Sequence, residues 1–537
     1  MQHPDLGRHR PPPAGAMTRP EPIAAPAPLM ADVLRLNGRW RVGESAVRCG
    51  DTVLDWRAFD AATERVANAF VALGLRPGDA VGIVMNNGIA MVEAIFGAMK
   101  AGACVVPLNL SVSDEAAFGM LSDAAVRAVV ATPAQRARLE PMRLRLPGVV
   151  RDGWICVDGG AGWADYATWR DAASGERCPV EPRPDDPCNI IYSSGTTALP
   201  KGIVHSHRRR IEWAYDCGVA LRYHSGAVAI CPVGLFSNIS WLAMLCAFLA
   251  GGSIVVMEHF DAAEFLRLVE RHRCTHVAMV PLQFQLVLEH AEFPRGGLAS
   301  MRAACTVGSP MLPAMKQRVA REFGCELIEL YGLTEGIITT LDPEDLEAHA
   351  ESVGKPVPGT DLKIIDDDGR ELPAGEAGEI VGWSRFVMSG YHGRPDATAE
   401  AIWRDAAGRP WLRTGDIGRL DADGYLYLVD RKKDMILSGG QNIYPADIEA
   451  VLKTHEAVFD CAVIGIPHEK WGETPLGLVV RRAGNEALAA EALREWANAR
   501  LGRQQRLSRV EFVADLPRNP NGKLLKRELR KQYGAGS

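Results

Sequence analysis

Tyr192 to Gly202 reads YSSGTTALPKG, a run of small and polar residues that ends next to a lysine. Just before it, residues 189–192 read NIIY, which is apolar enough for a short buried strand. Small residues bring backbone N–H groups and hydroxyls close to a ligand, and such groups form a concave nest for anionic oxygens. Lys201 adds a positive charge at the far end of the run. The stretch therefore predicts a phosphate-binding loop.

This stretch differs from the standard P-loop, which has the pattern G-x-x-x-x-G-K-[ST]. Pro200 stands where that pattern has its second glycine, and Gly202 stands where it has the Ser or Thr that holds Mg²⁺. The alternative is an ordinary turn, which a Ser-Gly-Thr string alone would favour. The full eleven residues favour phosphate binding. The residues predicted to take part are Ser193, Ser194, Gly195, Thr196, Thr197 and Lys201.

Length and composition predict a cytoplasmic protein of at least two domains. The chain has 537 residues, too many for one simple hydrophobic core. Its 60 basic and 66 acidic residues leave a net charge of −6 without a basic block, which argues against nucleic acid as a partner. The 12 cysteines are scattered without a C-x-x-C pair, so we expect reduced thiols rather than disulfides or a zinc site.

The N-terminal tail and one uncharged run differ from the rest of the chain. Residues 1–29 are rich in Pro, Ala and Arg, lack the apolar core of a secretory signal, and are expected to be a disordered tail. Residues 226–257 carry no charged side chain, as a membrane span would. Pro and Gly interrupt this run, so we expect two buried strands (227–231 and 253–257) around a buried helix (241–249).

Alternating strand and helix patterns predict mainly parallel sheets covered by helices. We expect helices over Val53–Leu73 and Pro313–Phe323, and a strand over Leu327–Glu329 that leads into Tyr331. Short alternating runs between Gly, Pro and Asp turns predict a β-rich subdomain at about 353–429. The fold class is α/β: a large N-terminal domain (30–432) of layered α/β sheets with that subdomain, then a small mobile C-terminal α/β domain (433–537).

Further strings carry side chains that suit a nucleotide. YGLTE (331–335) offers an aromatic face, close approach at Gly332, a hydroxyl, and a carboxylate suited to Mg²⁺. RTGD (413–416) places a carboxylate, which can accept hydrogen bonds from two ribose hydroxyls, after a tight turn. Taken singly, each would more often be an ordinary loop or a turn capped by Asp. The remaining strings are GSP (308–310), VDRKKD (429–434), SGGQNIYP (438–445) and PRNPNGKLLKREL (517–529).

In this order, the strings resemble the motifs of the adenylate-forming superfamily, which includes acyl-CoA synthetases, adenylation domains and luciferases. The resemblance runs from about residue 45 to residue 531, with Ala198 where the family usually has Gly. It implies ATP, Mg²⁺ and coenzyme A as cofactors, Tyr331 on adenine, Asp416 on the ribose, and Glu335 as metal ligand. The implied nucleotide-binding residues, besides the phosphate loop, are Gly308, Ser309, Pro310, Tyr331, Gly332, Asp416 and Arg431. The implied catalytic residues are Thr196, Thr334, Glu335 and Lys523.

The C-terminal strings imply a thiol-binding step after ATP is cleaved. Lys433 matches the family's hinge position. A single exposed lysine is usually only solvated, but Lys523 matches the family's catalytic lysine, and we favour it over Lys526 for that role. The residues implied beside the pantetheine tunnel are Ser438, Gly439 and Gly440. Because Lys523 and the thiol would compete for one cleft, we expect the C-terminal domain to rotate at Lys433 between two half-reactions.

The pocket for the acid is expected around PVGLFSNISW (232–241), which contains no charged residue. Amino-acid-activating relatives carry an Asp near Ser237, and dicarboxylate-activating relatives tend to carry Arg where this chain has Leu330. Their absence implies an uncharged hydrophobic acid, because burying an unpaired ion is costly. The residues predicted to contact the acid are Phe236, Asn238, Trp241, Gly336 and Ile337.

The sequence predicts an ATP-dependent carboxylic acid–CoA ligase that forms an acyl-AMP and passes the acyl group to CoA. Its partners are a small-molecule carboxylic acid and CoA, with no nucleic acid and no membrane span, and a homodimer is left open. One alternative is a stand-alone adenylation enzyme that loads the pantetheine thiol of a carrier protein. Another is a non-catalytic protein that binds nucleotide or acyl groups, against which the intact Lys201, Glu335, Asp416 and Lys523 argue.

Overall fold

A computed structural model describes residues 27–193, 200–294, 296–438, 441–503, 505–518 and 524–534, with the backbone alone at Ser193 and Asn442. Residues 1–26, most of the expected disordered tail, lie outside this part. The described chain forms four sheets, A to D. Helices cover sheets A and B, so the alternating pattern of the sequence corresponds to a layered α/β arrangement.

Sheet A has nine strands in the described chain, and its centre is parallel. The five pairings from Glu326–Gly332 to Ser45–Cys49 are parallel, whereas both edges are antiparallel. The carboxyl ends of the parallel strands share one edge, which is where open α/β sheets bind ligands. From edge to edge, the strands are Lys355–Pro356, Ile338–Leu341, Glu326–Gly332, Ala303–Val307, His276–Met279, Val228–Cys231, Ser253–Val256, Ser45–Cys49 and Thr52–Asp55.

Sheet B has eight described strands and contains the flanks of the predicted phosphate loop. Pro187–Ser193 pairs in parallel with Cys104–Pro107 and antiparallel with Lys201–Ser206. The loop therefore lies at the carboxyl end of a parallel strand. From edge to edge, the strands are Gly390–Tyr391, Lys201–Ser206, Pro187–Ser193, Cys104–Pro107, Ala80–Val84, Ala128–Ala131, Trp154–Cys156 and Ala164–Asp165.

Sheets C and D are smaller and lie later in the chain. Sheet C corresponds to the expected β-rich subdomain, and sheet D belongs to the C-terminal region. The strands of sheet C are Thr360–Ile365, Gly378–Ser384, Pro410–Leu420, Ile402–Arg404 and, paired with Pro410–Leu420, Leu426–Arg431. The strands of sheet D are Gln441–Ile443, Ile436–Ser438, Gly472–Arg481, Val458–His468 and, paired with Gly472–Arg481, Arg509–Phe512. The domain boundary at residue 433 stays a prediction.

Helices connect most of the parallel strands, as the crossover rule requires. The α-helices of the described chain are Met30–Trp40, Trp56–Ala72, Ile89–Lys100, Asp114–Asp123, Pro133–Leu139, Tyr166–Asp171, His207–Ala220, Asn238–Ala250, Ala262–His272, Pro281–Leu288, Pro313–Val319, Pro395–Glu400, Pro445–Lys453, Ala490–Asn498 and Lys526–Tyr533. Short 3₁₀ segments cover Glu140–Arg145 and Pro343–Asp345, and a π turn covers Ala320–Gly324.

The uncharged run 226–257 is part of the main core. It forms the strands Val228–Cys231 and Ser253–Val256 and the helix Asn238–Ala250, as expected. On that helix, the ring of Phe248 contacts those of Trp56, Phe59 and Phe96 at centroid distances of 5.1, 5.4 and 5.2 Å. In the described part of the chain, no helix combines the length and apolar character needed to cross a bilayer.

The structure corrects the expected helix over Val53–Leu73. The strand Thr52–Asp55 comes first, paired with Ser45–Cys49, and the helix begins at Trp56. Asp55 sets this boundary, because its Oδ1 accepts a hydrogen bond from Ala58 N at 2.7 Å, as an N-cap residue does. Residues 53–55 were therefore wrongly included in the expected helix.

Two further boundaries differ from the sequence prediction. The expected helix Pro313–Phe323 ends at Val319 and continues as the π turn Ala320–Gly324. The glycine-rich string SGGQNIYP (438–445) predicts a turn that leads from a strand to a helix. Instead, Ile436–Ser438 and Gln441–Ile443 pair as antiparallel strands before the helix that begins at Pro445. Both differences depend on pairing and packing that local residue patterns do not encode.

Candidate active site

The predicted phosphate loop connects two antiparallel strands, with Ser193 opposite Lys201. Lys201 is the first residue of its strand, and its Nζ is 4.8 Å from the centre of the Tyr391 ring. This cation–π contact holds the ammonium at the exit of the loop. Other predicted phosphate-binding groups lie outside the described residues, namely Ser194, Gly195, Thr196, Thr197 and the side chain of Ser193.

YGLTE forms a tight turn in sheet A. The strand expected at Leu327–Glu329 extends to Gly332, so Tyr331 and Gly332 pair antiparallel with Ile338–Leu341 rather than following the strand. Gly336 has a φ of +108°, and a Cβ there would lie only 2.6 Å from the carbonyl oxygen of Phe386. The backbone therefore requires glycine at this predicted acid-contacting position.

His205 fixes the position of Thr334. Its Nε2 is 2.7 Å from the carbonyl oxygen of Thr334. Because a carbonyl only accepts, Nε2 carries the hydrogen. Burial, followed by the nearby charge of Arg210, lowers the pKa of His205 well below its ordinary value of 6.5, so the imidazole is neutral at physiological pH. His205 thereby ties the YGLTE turn to the strand that leaves the phosphate loop.

The predicted adenine and ribose residues contact each other. The hydroxyl of Tyr331 donates to Oδ2 of Asp416 at 2.8 Å. Arg431, opposite Asp416 in sheet C, has its Nε 3.4 Å from Oδ1. Burial and then Asp416 raise the pKa of Tyr331 well above its ordinary value, so the phenol remains a donor. Three residues from three separate strings of the sequence thus form one polar cluster.

Glu335, the predicted Mg²⁺ ligand, is half-buried beside Tyr391. The hydroxyl of Tyr391 donates to Oε1 of Glu335 at 3.0 Å. Burial raises the pKa of Glu335, so a cation beside this carboxylate would stabilise its charged form. A carboxylate oxygen suits Mg²⁺, which commonly shares one or two protein carboxylates with substrate phosphates. Among the described residues, no group of three or more His, Cys, Asp or Glu could hold a metal alone.

The GSP segment, Gly308–Pro310, follows the buried strand Ala303–Val307 on the same edge of sheet A. Gly308 has a φ of +94°, where glycine is the favoured residue. The end of the segment is anchored at Met311, whose N donates to Oε1 of Glu329 at 3.0 Å. Glu329 is itself paired with the buried Lys316. A buried ion pair therefore positions the backbone of this predicted nucleotide-binding segment.

The predicted acid-contacting side chains differ in how accessible they are. Trp241 is fully buried, and its Nε1 donates to the carbonyl oxygen of Leu235 at 2.9 Å. Ile337 is also fully buried, in an apolar cluster with residues of sheet C. Phe236 and Asn238 are half-buried. In this structure, Trp241 and Ile337 are core side chains, and their role at the acid stays a prediction.

A positive charge lies behind the predicted acid-binding segment, which carries no charged residue itself. Nη1 of Arg210 donates to Oδ1 of Asn238 at 2.9 Å, and the guanidinium carbon is 5.0 Å from the centre of the Trp241 ring. Arg210 lies outside residues 232–241, so the composition of that segment does not predict it. The exclusion of amino acids is unaffected, since an ammonium gains nothing from this cation.

The C-terminal site residues are only partly described. Gly439, Gly440 and Lys523 lie outside the described residues, so their roles stay predictions. Ser438 ends a strand of sheet D and is paired with Gly472. Burial lowers the pKa of Lys433, the predicted hinge residue.

Lys526, the disfavoured alternative to Lys523, has a structural role. Its Nζ is 2.7 Å from Oε1 of Glu449. Burial lowers the pKa of Lys526, but Glu449 and Asp430 outweigh burial and the pKa is raised. An ammonium held in this way within the C-terminal region is engaged by carboxylates rather than free for a nucleotide.

Tyr391, His205 and Arg210 contact candidate site residues, and none of the three is predicted from the sequence. Tyr391 lies in the run GYHG, whose glycines and aromatic resemble the other motif strings and could have drawn attention. His205 and Arg210 follow the phosphate loop by a few residues, but nothing in their local pattern separates them from surface side chains. Their importance depends on burial, which only the fold reveals.

Comparison with known proteins identifies the family. The family model described as AMP-binding enzyme matches residues 37–392, and the AMP-binding enzyme C-terminal domain matches residues 447–523. The chain is 34% identical over 493 residues to the long-chain-fatty-acid–CoA ligase FadD13 of Mycobacterium tuberculosis, covering 90% of this chain and 94% of that protein. It is 33% identical over 498 residues to a feruloyl-CoA synthase from Amycolatopsis, covering 91% and 96%.

Solved structures agree with this result. The ATP-bound structure of MatB from Rhodopseudomonas palustris matches with a TM-score of 0.85 and 26% identity, covering 94% of this chain and 99% of that one. The expected α/β fold, with its large N-terminal and small C-terminal domains, is confirmed by such neighbours. The family matches and the whole-chain similarity establish that this chain belongs to the AMP-binding enzyme family.

Proposed function

We propose that this chain activates a hydrophobic carboxylic acid as an acyl-AMP and transfers the acyl group to CoA. The enzyme class, an AMP-forming acid–CoA ligase, is confirmed by the family and by the names of its relatives. The observation that carries the proposal is the polar cluster of Tyr331, Asp416 and Arg431, next to the turn that bears Glu335. It offers a nucleoside a ring face and a carboxylate for ribose, with phosphate-binding groups nearby.

In the first half-reaction, the carboxylate of the acid attacks the α-phosphorus of ATP and pyrophosphate leaves. Negative charge develops on the phosphoryl oxygens, and groups already oriented towards them stabilise it most. The loop from Ser193 to Thr197 is proposed to supply the donors, with Lys201 at its exit and Lys523 approaching from the C-terminal domain. Thr334 is proposed to contact the α-phosphate from a backbone held by His205.

Glu335 is the residue proposed to hold Mg²⁺ together with the phosphates. When bound, Mg²⁺ supplies positive charge that neutralises the phosphate oxygens. Tyr391 contributes by orienting the carboxylate through its 3.0 Å hydrogen bond to Oε1.

In the second half-reaction, the thiolate of CoA attacks the acyl carbonyl and AMP leaves. Ser438, Gly439 and Gly440 are proposed to border the path of the thiol, where small residues leave room for pantetheine. Rotation at Lys433 is proposed to remove Lys523 and admit the thiol. Exclusion of water matters between the steps, because the mixed anhydride hydrolyses readily.

The proposed substrates are neutral, hydrophobic acids. Relatives of this chain are named for long-chain fatty acids and for ferulate, which are both largely apolar. No acidic residue lies in the acid-binding segment 232–241 to pair with an amino group. Exclusion of dicarboxylates rests on Leu330 alone, since Arg210 places a cation behind Asn238. The location is proposed to be the cytoplasm, because all twelve cysteines, each in the described chain, have free thiols.

The test is product analysis with benzoate, a cinnamate, octanoate, palmitate, malonate and phenylalanine, each with ATP, Mg²⁺ and CoA. The proposal predicts AMP, pyrophosphate and an acyl-CoA, with an apolar acid giving the highest kcat/KM. ADP and orthophosphate as products would contradict the reaction, and a preference for phenylalanine or malonate would contradict the pocket. A parallel reaction in which a pantetheinylated carrier protein replaces CoA tests the alternative thiol acceptor.

A further inference from the structure

Arg210 connects two segments that carry different parts of the proposed reaction. Its side chain is 1% exposed. Nε donates to Oδ1 of Asn189 at 2.6 Å, and Nη1 donates to Oδ1 of Asn238 at 2.9 Å. Asn189 lies in the strand that enters the phosphate loop, and Asn238 begins the helix of the acid-binding segment. One rigid guanidinium therefore spans the nucleotide side and the acid side.

The guanidinium is an unusual buried charge. Among the described residues, its hydrogen-bond partners are neutral amides, and it lies over the rings of Trp213 and Trp241 at 5.1 and 5.0 Å. Burial lowers its pKa to about 10, so Arg210 still carries its charge at neutral pH. A buried charge without an opposite charge is costly, and an apolar residue of similar volume would often give equal or greater stability. Stability alone therefore does not account for this residue.

Arg210 also determines how both asparagines point. A guanidinium only donates, so Asn189 and Asn238 must each turn their oxygen towards it. Within the described chain, Nδ2 of the buried Asn189 has no hydrogen-bond partner as a consequence. Nη2 of Arg210 likewise has no partner among the described residues, so two buried donors stay unsatisfied while both asparagine oxygens accept from one guanidinium.

The same network reaches the turn that carries Thr334. His205 is paired with Asn189 across the two strands that flank the phosphate loop, and it holds the carbonyl of Thr334. The charge of Arg210 contributes to keeping His205 neutral. Arg210 thus contacts two of the proposed segments directly, and His205 connects the third, the turn of Thr334, to the strand partner of Asn189.

We propose that Arg210 is a positioning residue that sets the strand Pro187–Ser193 relative to the helix Asn238–Ala250 and so couples the binding of ATP and acid. This inference rests on the proposed function. The planar fork fixes two acceptors at once, which a lysine ammonium on a flexible stem does not reproduce.

The test compares wild type with R210M and R210K by calorimetry. The affinity of the preferred acid is measured with and without α,β-methylene-ATP, which cannot form the adenylate. We expect the analogue to tighten acid binding at least fivefold in wild type, within the usual range of coupling between sites. In R210M and R210K this factor should fall to about one, while the affinity for either ligand alone changes less than about twofold.

The matched control is R35M, since Arg35 is also largely buried but pairs with Glu64 away from the site. It should keep the coupling factor of wild type. If R210M does not fold, N189L removes the other arm of the fork, at a residue with no predicted ligand contact, and should reduce the coupling in the same way. Adenylate formation should fall about tenfold in R210K, whereas thioester formation from supplied acyl-AMP should not change.

The possible failures are distinguishable. Wild-type coupling that survives in R210K and R210M, or an equal loss in both half-reactions, would overturn the role of Arg210. Absence of acyl-AMP from the wild-type reaction would instead overturn the proposed function, and that experiment involves no variant of Arg210.

Discussion

The nucleotide side and the acid side of the candidate site are built differently. On the nucleotide side, Tyr331, Asp416 and Arg431 contact one another through polar groups before any ligand is present. On the acid side, Trp241 and Ile337 are packed in the core. Polar pairs fix orientation, whereas apolar packing fixes only shape and volume. We therefore expect substitutions on the first side to impair ATP use strongly and substitutions on the second to redistribute acid preference weakly.

The largest expected effect is that of Asp416→Ala. It removes the proposed ribose ligand and leaves the hydroxyl of Tyr331 and the guanidinium of Arg431 without their acceptor. Hydrogen bonds to a charged group contribute about 3 kcal/mol at most, so kcat/KM for ATP should fall roughly a hundredfold. The control is Glu379→Ala, which removes a buried carboxylate paired with Arg413 on the same sheet. Equal loss of ATP use in both variants would contradict the assignment of Asp416.

A stability measurement tests the burial of the helix that carries Arg210. His207 starts the helix of Arg210, is buried, and has no hydrogen-bond partner for either ring nitrogen within the described chain. Burial lowers its pKa from 6.5 to about 4. The unfolded state therefore binds more protons between these values, and stability is lost as the pH falls through 6.5.

Lowering the pH from 7 to 5 should thus cost about 2 kcal/mol through His207. His207→Leu should reduce the loss of unfolding free energy over that range by this amount in denaturant titrations. The control is His259→Leu at an exposed position. An unchanged pH dependence in His207→Leu would show that the imidazole is not buried as described.

Tyr391→Phe should have a smaller effect, confined to the nucleotide side. It removes the hydroxyl that orients Glu335 and keeps the ring that contacts Lys201. A hydrogen bond to a carboxylate contributes about 1.5 kcal/mol, so the Mg²⁺ concentration for half-maximal rate should rise roughly tenfold. Tyr427→Phe, which removes a hydroxyl bonded to Asp421, is the matched control. A normal Mg²⁺ dependence in Tyr391→Phe would remove Tyr391 from the metal site.

The smallest effect is expected on the acid side, for Phe236→Ala. A half-buried ring contributes about 1 kcal/mol of apolar contact, so kcat/KM should shift roughly fivefold among apolar acids. The KM for ATP should stay within about twofold, because no polar partner of the nucleotide side is lost. Phe293→Ala, at a half-buried phenylalanine of another cluster, is the control. If Phe236→Ala changed the KM for ATP more than kcat/KM for the acid, the proposed difference between the two sides would be wrong.

The same contrast explains what the sequence could predict. The candidate nucleotide side comes from short strings, YGLTE and RTGD, whose residue types suit a nucleotide, so candidates for it could be named from the sequence, and their roles stay predictions. Local sequence did not predict two features of the fold, the antiparallel pairing at the end of Glu326–Gly332 and the strand Thr52–Asp55. Strand pairing is set by partners that are distant in the chain. The contacts of Arg210 and His205 could not be predicted for a related reason. They depend on the burial of both side chains, which the neighbouring residues in the chain do not indicate.

The central claim is that the carboxylate of the acid attacks the α-phosphorus of ATP. Incubation with ¹⁸O-labelled acid, ATP and CoA, followed by mass spectrometry of the nucleotide, tests it directly. The account predicts one ¹⁸O atom in AMP and none in pyrophosphate, because one carboxylate oxygen stays with the phosphoryl group when the thiol displaces it. Label in orthophosphate, accompanied by ADP, would contradict the account.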